Sequence, residues 1–105
     1  MRIAFRMSVH PGAFREYARR HQPIWKELTA VLVAHGVRDY SIFIDEEDGA
    51  LFGYAEIESR DKWDTIAKTE VCQRWWEYMK DIMPVNEDDS PVSRELREVF
   101  HLDRS

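Results

Sequence analysis

The stretch VRDYSIFIDEEDGALFGYAEIE, residues 37–58, decides the fold. Its first part alternates. Tyr40, Ile42 and Ile44 fall on one face, and Ser41 and Phe43 on the other, the period of two that marks a strand over 37–45. Residues 46–50 then supply turn chemistry, with Asp48 followed by Gly49 as a strong hairpin signal. A second strand follows over 51–58. The centre of the chain is therefore an antiparallel hairpin.

Working outward, residues 14–34 switch to a helical period. Phe14, Tyr17, Ala18, His21, Ile24, Trp25, Leu28, Val31, Leu32 and His35 follow i, i+3, i+4 spacing, and Gly36 suits the residue just past a helix end. Pro23 interrupts that stripe. It lacks an N–H, and its ring clashes with the carbonyl of Arg19, so a kink or break is expected beside His21, with that carbonyl set free. Before the helix, Ile3, Phe5, Met7 and Val9 alternate with Arg2, Ala4, Arg6 and Ser8, a half-buried strand over 2–9 that Pro11 and Gly12 end.

Downstream of the hairpin, Ser59 reads as an N-cap with Asp61 in the first turn, and Thr69 caps a second helical piece. That piece reaches about Met83 on a stripe of Val71, Trp75, Tyr78, Met79 and Ile82, and Pro84 stops it. Residues 86–90, NEDDS, read as a solvated loop. A last strand is expected over 95–102.

The order β-α-β-β-α-β defines a single α+β domain over residues 1–105. It is a ferredoxin-like fold, a four-stranded antiparallel sheet with helices on one face. Yet both faces of the strands carry apolar side chains, notably Phe43, Phe52, Tyr54 and Phe100, so a homodimer is expected, packed sheet against sheet or sheet against edge, as in dimeric α+β barrels.

The chain has 105 residues, 44% of them apolar, and a net charge of -5. That composition is globular, and the acidic balance argues against a nucleic-acid partner, which needs clustered Lys and Arg. No run approaches the ~20 apolar residues of a membrane helix. The arginine-bearing start MRIAFRMSVHPG has no apolar signal-peptide core. The one cysteine, Cys72, excludes an internal disulfide and a Cys-based zinc site, and fits a reducing, cytoplasmic setting. The histidines His10, His21, His35 and His101 form no short metal-ligand pair, so no metal site is expected.

Chemistry concentrates in a few residues. Tyr17, His21 and Trp25 recur at i, i+4 and i+8, and the unperturbed imidazole titrates near neutrality, which suits general acid–base work. The bland alternative is a histidine that merely caps or packs. Trp75 fits the apolar stripe as a core residue, whereas Trp76 points about 100° away and suits either the core edge or a stacking platform for a sugar. Tyr40 could serve the core or place its hydroxyl in a pocket. Cys72 reads as a small buried hydrophobe, with no histidine near in sequence to activate it.

The strings EYARRHQPIWKEL, VCQRWWEYM, MP-x-N and SPVS-x-EL-x-EVFHL together resemble the L-rhamnose mutarotase family. The resemblance runs from the first strand to Leu102, leaving residues 103–105 outside it. It implies interconversion of the α and β anomers of L-rhamnose by a dimer of ferredoxin-like subunits, without metal or organic cofactor. It implies His21 as proton donor and Tyr17, Tyr40, Trp75 and Trp76 as substrate-binding residues, so that Trp75 is more than core. Two other readings share the architecture: a cofactor-free monooxygenase, and a non-catalytic dimeric module that binds a sugar or metabolite.

Overall fold

The computed structural model describes residues 1–104. Strand β1 (Arg2–Ser8) leads into helices α1 (Phe14–Arg20) and α2 (Lys26–Ala34). The hairpin β2 (Val37–Asp45) and β3 (Ala50–Ile57) follows, then α3 (Arg60–Ile66), α4 (Glu70–Met79) and the short β4 (Arg94–Leu96). The four strands form one antiparallel sheet in the order β2-β3-β1-β4, the ferredoxin-like arrangement.

Turn chemistry fixes the hairpin. Gly49 adopts φ +75°, its N–H donates to the Asp45 carbonyl at 2.8 Å, and the Asp48 carboxylate accepts from the Ala50 N–H at 2.8 Å. Pairing then sets Ile42 opposite Gly53 and Tyr40 opposite Ala55, all on one face. The same face of β1 carries Ile3, Phe5 and Met7. Against it lie Tyr17, Leu28, Trp75 and Met79 of the helices, which share a core with Met7 and Leu51. Trp63 of α3 packs on a second cluster of Ile3, Ala55 and Ile57.

Pro23 breaks the first helix outright. Residues 21–25 form a turn with a cis Gln22–Pro23 bond, and α2 restarts at Lys26. The Arg19 carbonyl is not set free, as the sequence suggested: the Gln22 N–H donates to it at 3.2 Å. Ser59 and Thr69 cap α3 and α4 as expected, accepting from the Lys62 and Cys72 N–H groups. Helix α4 ends at Met79, yet Ile82 and Met83 stay buried in the turn beyond it.

The last strand is shorter than the expected 95–102. Leu96 pairs with Ala4, so continuing the ladder would bring residue 98 opposite Arg2, where β1 begins. The chain runs out of partner strand, and Glu98 meets Arg2 through an ion pair at 2.9 Å instead. Val99, Phe100 and Leu102 beyond it are exposed. So are Phe43 and Phe52 on the helix-free face of the sheet.

Candidate active site

A cavity of about 850 Å³ opens between the helices and the inner face of the sheet. Tyr17, His21, Tyr40, Trp75 and Trp76 all line it. These five come from α1, the turn after it, β2 and α4, and the fold brings them to one space, whereas Trp25, the third member of the i, i+4, i+8 set, does not line it.

His21 sits at the C-terminal end of α1. Its N–H takes the tighter bond to the Ala18 carbonyl at 3.1 Å, which leaves the Tyr17 carbonyl to its own ring: Nδ1 donates to it at 2.7 Å. A carbonyl can only accept, so Nδ1 carries a proton and Nε2 is the nitrogen left for a ligand. His35 makes the same local bond to the Val31 carbonyl at the end of α2. The backbone bond alone is therefore a capping habit of these helix ends; the cavity is what sets His21 apart.

Aromatic rings fix the imidazole in the plane it holds. The Tyr17 ring lies 4.3 Å away and Trp75 meets it edge-on at 5.2 Å. Trp25 in turn packs against Trp75 at 5.1 Å and Tyr78 at 5.4 Å. Burial is the main cause that holds His21 below the usual histidine value of 6.5, with the bond to the Tyr17 carbonyl opposing it. The ring is neutral at neutral pH. Burial also raises the Tyr17 and Tyr40 phenols, so both remain hydroxyls able to donate as well as accept.

Tyr40 is placed by its neighbours. Phe5 and Trp63 meet its ring at 6.1 and 5.7 Å. Phe5 lies across the sheet over Gly53, where an added Cβ would come within 2.4 Å of its ring. Trp75 is buried and Trp76 half-buried, and both border the cavity because it cuts along the edge of the core. Cys72 is buried among apolar neighbours, which pushes its thiol up to about 11 and leaves it no nucleophile.

Arg19 and Arg20, the two residues before His21, direct their charge to carboxylates and not to the imidazole. Arg19 turns to Glu16 in two bonds. Arg20 donates to Glu16, Asp81 and the Tyr78 carbonyl and lies over the Tyr78 ring. Sequence reasoning also missed part of the lining. Asn86, Asp89 and Ser90 border the cavity, although 86–90 reads as solvated loop. The one signal available was Asn86 closing the MP-x-N string.

The architecture and its pocket define a ferredoxin-like α+β protein whose cavity joins one neutral histidine to aromatic walls and hydroxyls. The family model for L-rhamnose mutarotase matches residues 2–102. An L-rhamnose mutarotase of Shigella flexneri is 57% identical over 102 residues, 97% of this chain and 98% of the relative. One of Pectobacterium carotovorum is 57% identical over 103 residues, covering 98% and 99%. The crystal structure of an L-rhamnose mutarotase from Formosa agariphila superposes with a TM-score of 0.90 at 42% identity, covering 98% and 99% of the two chains. The chain belongs to the L-rhamnose mutarotase family. A dimeric ferredoxin-like protein from an uncultured marine organism, at 14% identity with a TM-score of 0.66 over 98% and 97% of the chains, shares the fold alone.

Proposed function

We propose that the protein is an isomerase that interconverts the α and β anomers of L-rhamnopyranose, with His21 carrying the proton. The observation that supports this best is the family match over residues 2–102 together with a cavity that holds His21 with Nδ1 tied to backbone.

Anomer exchange needs a proton to leave the anomeric hydroxyl and one to reach the ring oxygen. Both oxygens are bonded to the same carbon, so one imidazole nitrogen can serve both. Neutral His21 takes the hydroxyl proton on Nε2. The resulting alkoxide collapses to the carbonyl, the bond from C1 to the ring oxygen breaks, and its electron pair stays on that oxygen. The imidazolium, still held through Nδ1, returns the proton there. After rotation about C1–C2 the same steps in reverse close the ring on the other carbonyl face. His21 is thus base and then donor within one opening, and proton balance is kept.

Tyr17 and Tyr40 supply hydroxyls to hold the sugar, and Trp75 and Trp76 form the apolar wall beneath its ring and 6-methyl group. One placed acid–base group gives roughly 10²–10⁴-fold. His21→Ala should therefore slow enzyme-dependent exchange between the anomeric protons of L-rhamnose by about that factor, read by saturation-transfer NMR. A wild-type rate in that variant would remove His21 from the mechanism.

The functional unit we infer is a homodimer, supported by the exposed Phe43 and Phe52 on the helix-free sheet face. We place it in the cytoplasm, in keeping with a lone free cysteine and with no described helix long and apolar enough to cross a membrane.

A further inference from the structure

We infer that the Asp89 carboxylate is a specificity-determining group of the sugar site, accepting hydrogen bonds from two neighbouring sugar hydroxyls. This rests on the reading of the cavity as the sugar site.

Two carboxylates line the cavity among the described residues, Asp89 and Glu95. Glu95 is spent: Arg60 holds both its oxygens, at 2.8 and 3.0 Å. Asp89 forms an ion pair with the Lys80 ammonium at 3.6 Å, and among the described residues its carboxylate accepts no side-chain hydrogen bond. The residue borders the cavity, and a hydroxyl there can compete with the half-exposed Lys80 for its lone pairs. Neighbouring hydroxyls of a pyranose present two O–H donors side by side, which matches the two oxygens of one carboxylate. The phenols can also accept, but a carboxylate accepts more strongly than a neutral hydroxyl.

The loop around Asp89 is built rather than slack. The Asn86 N–H donates to the Ser90 carbonyl at 2.8 Å, the Asp89 N–H donates to the Asn86 carbonyl at 3.0 Å, and Val85 pairs with Pro91 across its base. Asp89 itself sits at φ +69°, in the left-handed region that Gly and Asn adopt more readily than most residues. Substitution by either removes the carboxylate without forcing the backbone.

The test compares wild-type protein with Asp89→Asn and Asp89→Gly in the saturation-transfer assay, over a range of L-rhamnose concentrations. Analogues of L-rhamnose that each lack one ring hydroxyl are run alongside. Loss of one or two charge-assisted hydrogen bonds should raise KM about 10- to 100-fold in both variants, while kcat moves far less. Wild-type protein should discriminate against the analogue lacking a bridged hydroxyl, and Asp89→Gly should not. Unchanged KM in both variants would overturn the assignment. So would a fall in kcat alone, or equal losses on every analogue, which mark a purely structural residue. Wild-type protein that leaves L-rhamnose unexchanged would overturn the sugar reading and this inference together, whereas an active wild type with unaltered variants overturns only the role of Asp89.

Discussion

At the residue scale, His21 makes a pH prediction with a definite sign. Burial lowers its folded pKa below 6.5, so the unfolded chain binds the proton first as the pH falls. Stability from keeping the ring neutral is complete above 6.5 and is lost as pH falls through the folded value. The proposed mechanism needs the same neutral Nε2. Exchange rate against pH should therefore hold on the neutral side and fall with an inflection below 6.5, and His21→Gln should abolish that acid limb. An inflection above 6.5 in the wild-type profile would contradict the neutral resting ring. Gly53 makes a second prediction at this scale. Its missing Cβ is the space that the Phe5 ring fills, and Phe5 in turn abuts Tyr40. Gly53→Ala should cost about 1–3 kcal/mol in urea unfolding, as overpacking does, and should raise KM by displacing Tyr40.

At the scale of elements, the break between α1 and α2 puts His21, the proposed proton carrier, at a helix end, and Arg20 ties that end down. Its side chain is only 10% exposed, while its partner Asp81 is 64% exposed. The guanidinium bonds Glu16 on its own helix and spans to Asp81 and the Tyr78 carbonyl, joining the end of α1 to the end of α4. Lysine is a point charge and cannot reproduce that fork. Arg20→Lys should lose about 1–2 kcal/mol of stability, discounted for the exposed Asp81, and should lower kcat more than it raises KM. Equal kcat with the stability loss alone would show that the clamp does not reach His21. This clamp was illegible in the sequence, where Arg20 is simply the neighbour of a histidine. Its partners lie 58 and 61 residues away, and no local pattern encodes such a distance.

At the scale of the whole molecule, the sheet has one face under the helices and one bare. Phe43 is 65% exposed on the bare face, and the segment after β4 ends in exposed Val99, Phe100 and Leu102. Burying these apolar groups against a second copy is the association we expect. Sedimentation of wild-type protein should give a dimer, and Phe43→Asp combined with Phe52→Asp should give a folded monomer. A monomeric wild type at micromolar concentration would refute the homodimer. Because the cavity opens between helices and inner sheet face, the bare face is free to carry assembly without blocking the substrate.

The sequence by itself determined the order of strands and helices, the hairpin at Gly49, the caps at Ser59 and Thr69, and the interruption at Pro23. Each is written in residues a few positions apart, through periodicity, capping oxygens or a missing N–H. It also carried, by resemblance, Tyr17, His21, Tyr40, Trp75 and Trp76. Only the tertiary structure decided that these five share one cavity, that Nδ1 rather than Nε2 of His21 is committed, and that the NEDDS loop borders the site instead of facing only water. It also shortened the last strand, which ends at Leu96, and past residue 98 no residue of β1 stands opposite the chain. These depend on what stands opposite a side chain once the sheet and helices close. Opposition across a fold is a property of packing, and the spacing of residues along one chain does not contain it.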